Sequence, residues 1–525
     1  MVNNPGFRLA LLTANGECPR WLWESLQSAL AHRRADLVLV AGFSDLPQHS
    51  YPWIVEKYSA WERRRCLAAD GLLREIDVAA ATGKFVAPLT SSDPTKLVAS
   101  LAISRADVLL VTPAADQAGL DGVAVPVWKV QFGTSPPQHR FPGLWEVVDR
   151  SLSSVSLVET VPALGSTRVL ESIVARTDPR SWIRNHAGLA AKASDLLRRW
   201  IPPMAARKER PLLEIPALTA ALQTDNWQAH LAILRLLRRF GNHAIGSSMN
   251  LDQWQLAVDR TPEFSRLANP QILTPPPDRF WCDPFLFEKD GDLHVFIEEY
   301  LYRSGKGHIA VLSRSSSGEW LDPVIAMERP YHLSYPFVFE HKGELLMLPE
   351  TTAIDRVELW RCLRFPDRWE LDTVLMENIA GADATLWYQD ERWWLFLDVR
   401  DELCIFYADS LRGAWLPHPL NPVKSDSRNG RPAGRIFRNR QDVIRPAQDC
   451  SLQYGREVVF NKITRLTVRD FEEVEVGRLH TPWNGNTGCH TFNQIGDITV
   501  VDRLVQRRKL HWNLRSPGRK VQVGT

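Results

Sequence analysis

The sequence predicts a multidomain protein that combines an α/β N-terminal domain, a helical connector and an all-β five-bladed propeller. Three observations support this prediction. Short apolar runs alternate with helical stretches in residues 1–186, amphipathic helical patterns dominate residues 187–249, and a unit of about 50 residues recurs through residues 250–525. A chain of 525 residues is long enough for two or three hydrophobic cores, so these regions are expected to fold as separate parts.

The N-terminal region, residues 1–186, has the pattern of a parallel sheet covered by helices. Three apolar runs lack the alternation of a half-exposed strand: FRLALLT (7–13), ADLVLVAGF (35–43) and ADVLLVTP (106–113). Between the first two, PRWLWESLQSALAHR predicts a helix. Apolar strands separated by helices are typical of parallel sheets that are buried on both faces. The region is therefore predicted to be a small α/β domain.

The connector, residues 187–249, is predicted to be helical, with a Pro-rich and basic break near its middle. Within residues 227–240, apolar side chains are expected to oppose three arginines: Leu231, Ile233, Leu234 and Leu237 against Arg235, Arg238 and Arg239. This pattern fits a helix packed on a domain. It also fits a helix lying on an anionic bilayer, so peripheral membrane contact stays open.

The region after residue 250 contains an internal repeat. Five segments align: CDPFLFEKDGDLHVFIEE (282–299), SYPFVFEHKGELLMLPET (334–351), ADATLWYQDERWWLFLDV (382–399), PAGRIFRNRQDVIRPAQD (432–449) and CHTFNQIGDITVVDR (489–503). One column of this alignment holds Asp283, Tyr335, Asp383, Ala433 and His490, at intervals of 52, 48, 50 and 57 residues. A period near 50 residues is the length of one four-stranded propeller blade.

The repeat predicts five blades, and the fifth needs a strand from elsewhere because little chain follows it. The stretch DQWQLAVDR (252–260) is expected to supply that strand. Such a pairing closes the ring and removes an exposed sheet edge. A two-sheet sandwich is the alternative, but it would not require regular spacing.

Composition narrows the possible partners and the compartment. Lys and Arg number 63 and Asp and Glu 61, so the net charge of +2 gives no field that would favour nucleic acid. Seven scattered cysteines show neither metal-ligand nor disulfide spacing, which suits a reducing compartment. No signal-peptide pattern or long apolar run is present. We expect a cytoplasmic protein without nucleic acid, cofactor or metal, and a peripheral position at the inner face of the membrane stays open.

The repeat column places candidate catalytic groups at one end of the innermost strands. Asp283 and Asp383 would face each other across the ring, and Glu350 is the third candidate, as an acid. Paired carboxylates are what glycosyl chemistry needs, one as acid and one as base or nucleophile. The alternative is structural, because carboxylates at strand ends often cap turns or accept hydrogen bonds from backbone amides.

A wider set of residues is expected to bind substrate: Tyr335, His490, Glu299, Arg431, Arg445 and Asp449. Tyr335 and His490 share the repeat column. Each second strand also ends in a polar residue or pair: Glu298 and Glu299, Glu350, Asp398, Asp449 and Asp502. Arg431, Arg435 and Arg445 could clamp an anionic group or pair with nearby carboxylates.

The repeats resemble the propeller domain found at the N-terminus of plant glucosamine inositolphosphorylceramide transferases and in many bacterial proteins. The resemblance spans about residues 250–512 and rests on WCDPFLFEKDGDLHVFIEE, YPFVFEHKGELLMLPET and the RPAGRIF and IRPAQDCS motifs. That domain in turn looks like five-bladed arabinanase- and invertase-type glycosidases. The resemblance implies a base or nucleophile at Asp283 and a further carboxylate at Asp383, whereas the general-acid Glu of those enzymes has no secure counterpart.

Residues 1–186 resemble a formyltransferase-like domain through VWKVQFG, FPGLWEV and SWIRNHAGLAAKASDLL. Formyl transfer uses an Asn, a His and an Asp. Here His139 precedes RFPG and no matching Asn is found, so the resemblance implies a degenerate domain with a structural or binding role.

Together these patterns predict a carbohydrate-active protein of surface-polysaccharide or glycolipid biosynthesis, with glycosyl transfer or hydrolysis at the propeller. Its partner would be a sugar or glycan, and whether it is lipid-linked or nucleotide-activated stays open. Two alternatives stay open: a non-catalytic glycan-binding scaffold, and an acyl or formyl transferase that acts on a sugar.

Overall fold

The structure is a computed structural model that describes residues 7–31, 35–43, 52–83, 87–89, 95–116, 120–133, 142–201, 226–261, 263–315, 318–482, 488–509 and 522–524. Two compact units divide the chain, Met1–Gly241 and Asn242–Thr525. His139 and the Pro-rich break of the predicted connector lie outside the described residues.

The first unit contains a nine-stranded mixed sheet. Its strands are β1 (Phe7–Ala14), β2 (Glu17–Pro19), β3 (Ala35–Phe43), β4 (Glu75–Asp77), β5 (Ala87–Leu89), β6 (Val108–Val111), β7 (Val127–Phe132), β8 (Ser153–Val161) and β9 (Ser166–Ala175). The parallel part joins β5, β3, β1, β6 and β7. This confirms the predicted α/β region, and its apolar runs are buried because helices cover the sheet. The sequence pattern did not reveal the antiparallel extension through β8 and β9.

Eight helices are described: α1 (Arg20–Ala31), α2 (Trp53–Arg65), α3 (Leu67–Leu72), α4 (Val78–Thr82), α5 (Thr95–Ser104), α6 (Leu144–Asp149), α7 (Trp182–Trp200) and α8 (Asn226–Met249). Helix α7 begins after Ser181, whose Oγ accepts a hydrogen bond from the Arg184 backbone at 3.2 Å. Trp182, Leu189 and Leu196 of α7 are buried in the core of the first unit. The predicted connector therefore begins inside a helix of this core. None of the described helices is long and apolar enough to cross a membrane.

The second unit is a five-bladed β-propeller, as predicted from the repeat. Four blades are four-stranded antiparallel sheets of consecutive strands. The first two blades comprise β12 (Arg279–Lys289), β13 (Asp292–Leu301), β14 (Lys306–Arg314), β15 (Val324–Met327), β16 (Ser334–His341), β17 (Glu344–Glu350), β18 (Arg356–Arg364) and β19 (Arg368–Glu377). The next two comprise β20 (Ala382–Gln389), β21 (Arg392–Asp398), β22 (Leu403–Ala408), β23 (Leu416–Pro417), β24 (Phe437–Asn439), β25 (Asp442–Asp449), β26 (Glu457–Leu466) and β27 (Phe471–Arg478).

The fifth blade combines strands from both ends of the unit, in the order β28 (Phe492–Ile495), β29 (Ile498–Arg508), β10 (Asn250–Arg260), β11 (Gln271–Thr274) and β30 (Gln522–Gly524). Strands β10 and β29 pair along their whole length, from Asn250 opposite Arg508 to Arg260 opposite Ile498. The strand predicted at 252–260 thus closes the ring. Closure leaves β29 paired on both sides, which removes an edge that would be open to another chain.

Candidate functional site

The repeat column coincides with a bulge at the start of the innermost strand in three blades. Asp283, Tyr335 and Asp383 have φ values of 49°, 44° and 54°, in the left-handed region that non-glycine residues rarely occupy. At each of them the pairing with the second strand shifts register. A repeated bulge of this kind re-aims side chains at the end of a sheet. Strained backbone held in equivalent places is a common feature of functional sites.

Side-chain carboxylates tie the bulges of successive blades together. Asp502 Oδ2 accepts a hydrogen bond from the Asp283 backbone at 3.2 Å, and Asp283 Oδ2 accepts one from the Tyr335 backbone at 3.2 Å. Glu350 Oε2 accepts one from the Asp383 backbone at 3.2 Å. These carboxylates therefore have a structural role, because each bulged N–H needs an acceptor inside the fold.

A second set of acids faces the bulges from the neighbouring strand. The register pairs Cys282 with Glu298, Ser334 with Glu350 and Ala382 with Asp398. Glu298, Glu350 and Asp398 are therefore equivalent positions of three blades. We call Asp283, Glu298, Glu350 and Asp383 the carboxylate cluster.

On one side of the cluster, Asp283 is joined to His490. His490 Nε2 lies 3.4 Å from Asp283 Oδ1, and His490 Nδ1 lies 2.7 Å from Asp502 Oδ2. Thr491 Oγ1 donates a hydrogen bond to Asp283 Oδ1 at 2.7 Å. The ring centroid of Trp254 lies 4.2 Å from that of His490. The imidazole thus stands between two carboxylates and beside an indole, in a place where a positive charge is stabilised.

On the other side, Asp383 is joined to Arg431. Arg431 Nε donates to Asp383 Oδ2 at 2.5 Å, and Gln448 Nε2 donates to the same oxygen at 2.9 Å. The Arg431 guanidinium also lies 5.2 Å from the ring centroid of Tyr454. Asp383 is buried, whereas Glu350 is only partly buried.

The cluster holds more acids than bases, and the pKa values reflect this. Burial, together with the nearby Glu350 and Asp283, raises the pKa of Asp383 to about 7, although Arg431 opposes the rise. Burial and the Asp283 charge raise the pKa of Glu350 and, more strongly, that of Glu298. Burial disfavours a charged His490, but Asp502 and Asp283 outweigh it and raise the pKa of that imidazole to about 9.

Among the described residues, one group combines metal-ligand side chains at short range. Donor atoms of Cys282, Asp283 and His490 lie within 4.8 Å of one another. The Cys282 thiol donates to Glu298 Oε2 at 3.0 Å, and burial raises the pKa of the thiol well above its ordinary value. His490 is also protonated near neutral pH. In the structure Cys282 is hydrogen-bonded to Glu298 and His490 pairs with Asp283.

The structure gives Tyr335 and Glu299 partners inside the fold. The Tyr335 hydroxyl lies 2.8 Å from Thr385 Oγ1 and accepts a hydrogen bond from the Gly434 backbone at 2.6 Å. Glu299 accepts a hydrogen bond from Trp281 Nε1 at 3.0 Å and lies 3.0 Å from His308 Nε2. Both side chains are buried. Their predicted contact with substrate gains no support from this geometry.

Arg445 and Asp449 likewise lie in the interior of blade four. Arg445 is fully buried and donates to Glu473 and to the backbone carbonyls of Asn429 and Gly430. Asp449 accepts hydrogen bonds from Ser451 and Arg478. The third arginine of the predicted clamp, Arg435, donates to the Val338 carbonyl at 2.7 Å. Of the three arginines, Arg431 alone contacts the carboxylate cluster, and the arginine clamp stays a prediction.

Sequence reasoning missed Gln448, Thr491, Trp254 and Tyr454, which complete the surroundings of Asp383 and His490. Gln448 could have been found from strand alternation. It precedes Asp449 in β25, so once Asp449 is assigned to the interior of the blade, Gln448 must face the other way. No sequence pattern marks Trp254, because its strand β10 comes to the site only by pairing with β29 at the closure of the ring.

A family model described as the N-terminal part of glucosamine inositolphosphorylceramide transferase 1 matches residues 270–493. The match falls within the propeller. Glucosamine inositolphosphorylceramide transferase 1 of Oryza sativa subsp. japonica is 35% identical over 250 residues, which cover 43% of this chain and 33% of that protein. The Arabidopsis thaliana protein of the same name is 32% identical over 211 residues, which cover 38% of this chain and 28% of that protein. The match thus spans about a third of the curated relatives' length.

Two solved structures also show similarity. The family 117 glycoside hydrolase Zg3597 of Zobellia galactanivorans is 11% identical, with a TM-score of 0.33, over 48% of this chain and 90% of that chain. The β-xylosidase RS223 is 10% identical, with a TM-score of 0.34, over 47% of this chain and 96% of that chain. We transfer no residue role from either. The family match leaves out residues 1–186 and the named relatives are plant proteins, so a formyltransferase-like domain and a bacterial source stay predictions.

Proposed function

We propose that the propeller binds a sugar at the carboxylate cluster and catalyses glycosyl transfer during assembly of a glycolipid or surface polysaccharide. The observation that carries the proposal is the division of the cluster into two electrostatic environments. Asp283 lies against the protonated His490, whereas burial and neighbouring acids raise the pKa values of Glu350 and Asp383. Titratable groups in opposed environments are typical of acid–base pairs.

The roles follow from these environments. Asp283, which contacts His490 and Thr491, would take the proton of the attacking hydroxyl. Glu350, the more accessible acid, would give its proton to the departing oxygen. Asp383 would position Arg431 through the hydrogen bond from Arg431 Nε.

The relatives support the choice of substrate class. Their name refers to glucosamine and to inositolphosphorylceramide, an amino sugar and a phosphorylated sphingolipid. By analogy we propose a sugar donor, nucleotide-activated or lipid-linked, and a hydroxyl acceptor for this chain. Arg431 and His490 are the cations of the site that could face the phosphate of such a molecule.

The test combines binding and turnover. The full chain is applied to an array of glycans that includes glucosamine-containing ones, and glycosyl release or transfer is followed with activated aryl glycosides and sugar nucleotides. We expect Asp283→Asn and Glu350→Gln each to lower turnover by roughly 10²–10⁴-fold, while glycan binding changes far less, because proton transfer fails and the site keeps its shape.

Asp442→Asn is the matched control, because this half-exposed carboxylate of β25 pairs with Lys462 away from the cluster. It should change neither readout. Glycan binding without any turnover in the unaltered protein would favour the non-catalytic scaffold. Absence of both binding and turnover would remove the proposal.

A further inference from the structure

Helix α8 carries apolar side chains both toward the core and toward solvent. Ala232, Ile233 and Leu236 are buried in the core of the first unit. Trp227, Leu234 and Leu237 recur at helical spacing on another face, where they are 68%, 60% and 41% exposed. The apolar set predicted from the sequence is thus divided, since Ile233 packs inward while Leu234 and Leu237 face solvent. A connector helix that only packs on its domain needs one apolar face.

Helix α2 enlarges the exposed face of α8. Trp53, 62% exposed, meets His230 edge-on with ring centroids 5.7 Å apart. Trp61 meets Phe240 in the same way at 5.9 Å, and both rings are partly exposed. We call this surface the aromatic patch; it comprises Trp53, Trp61, Trp227, Leu234, Leu237 and Phe240.

Positive charge borders the aromatic patch. The Arg65 guanidinium lies 4.8 Å from the ring centroid of Trp61 and 4.6 Å from that of Phe240. Arg64, Arg235 and Arg238 are exposed on the same two helices. Helix α8 contains no acidic residue. Arginines can extend their charged ends toward phosphate while their alkyl parts cover apolar surface.

Single exposed apolar side chains are ordinary, but tryptophans, leucines and arginines that adjoin one another indicate a binding surface. Trp and Arg are the residues that favour the interface between lipid headgroups and acyl chains. A basic border favours an anionic partner over a neutral one. Exposed tryptophans with a basic border therefore favour an anionic bilayer over an apolar protein groove as the binding partner.

We propose that the aromatic patch docks the first unit on the surface of an anionic lipid bilayer, with the tryptophans and leucines in the headgroup region and the arginines on lipid phosphates. The proposal is independent of the sugar chemistry of the propeller. It would hold if the carboxylate cluster proved inert.

The test is flotation of the full chain with vesicles of phosphatidylcholine alone and of phosphatidylcholine with phosphatidylglycerol, at low and high salt. We expect binding only to the phosphatidylglycerol vesicles, with loss at high salt. The double variant Trp227→Ser and Leu234→Ser should lower the bound fraction at least tenfold. Arg235→Glu and Arg238→Glu should each weaken binding by roughly fivefold or more.

Leu416→Ser and Arg469→Glu are the matched controls, because both replace exposed side chains of the propeller. They should leave vesicle binding unchanged. Circular dichroism checks that all variants fold. The proposal is overturned if the unaltered chain fails to float with anionic vesicles at low salt, or if patch and control variants bind equally. It is also overturned if the patch variants convert a dimer to a monomer, seen by sedimentation, without changing vesicle binding, because a second copy would then be the occupant.

Discussion

Two buried ionic clusters of the propeller both combine acids with cations, but with opposite electrostatic results. In blade four, Glu473 accepts hydrogen bonds from Arg445 at 2.8 Å and Lys424 at 2.6 Å. Burial opposes its charge, but the two cations prevail and lower the pKa of Glu473 to about 2. In the carboxylate cluster, four acids share two cations, His490 and Arg431, and the pKa of Asp383 rises to about 7.

The difference separates structural from functional ionic groups. Two cations, Arg445 and Lys424, contact the single acid Glu473. They neutralise its charge, and the cluster holds strands together. The carboxylate cluster has excess acid, so some of its members retain protons near neutral pH. A fold gains nothing from gathering acids that resist ionisation, and such groupings are typical of sites that bind or react.

The largest expected effect is the loss of a cation from the balanced cluster. Arg445→Leu leaves Glu473 buried with one partner, and we expect the free energy of unfolding to fall by about 3–5 kcal/mol. Chemical denaturation monitored by tryptophan fluorescence measures the change. Arg465→Leu is the control, because it breaks a half-exposed pair with Glu472 of the same sheet and should cost less than about 1 kcal/mol. Equal effects of the two variants would contradict the distinction.

The next effect concerns pH. The pKa of His490 is raised from 6.5 to about 9, so its stabilising contribution is complete below pH 6.5 and is lost as the pH rises through about 9. The shift corresponds to roughly 3 kcal/mol of unfolding free energy. His490→Gln should remove this part of the pH dependence, while His480→Gln, at an exposed position, should not. An unaltered slope in His490→Gln would show that its neighbours do not hold the charge.

The smallest effect comes from replacing one acid of each cluster, Asp383 or Glu473, by its neutral amide. The raised pKa of Asp383 means that its favourable contribution, present below about pH 3.8, is lost as the pH rises through about 7. Asp383→Asn should therefore stabilise the protein by about 1 kcal/mol at pH 8 and give no gain near pH 4, in keeping with functional sites that sacrifice stability. Glu473→Gln should destabilise it at pH 8. Thermal unfolding at both pH values measures the contrast, and destabilisation by both variants would place Asp383 among the structural groups.

The sequence predicted much of the propeller because its repeats are local. Each of the first four blades encodes its own strands and turns, and the column from Asp283 to His490 marks equivalent positions in all five. It also predicted Asp283, Asp383, Glu350, Arg431 and His490, which the structure brings together. It named Glu299 and Asp449 as substrate-binding residues, which stays a prediction, and the structure adds Glu298 and Gln448 beside Cys282 and Asp383. Arg445 and Arg431 occur in neighbouring motifs, and only the fold buries one and leaves the other beside Asp383.

The sequence by itself determined the blade number, the ring closure by residues 252–260 and the column of candidate acids, because these depend on period and spacing alone. The tertiary structure decided which member of each adjacent polar pair reaches the site. Neighbouring residues of a strand face opposite sides, and a bulge at Asp283 or Asp383 shifts the pairing register on that strand. The tertiary structure also decided the pKa values of the carboxylate cluster, because they depend on how many acids and cations the five blades bring together.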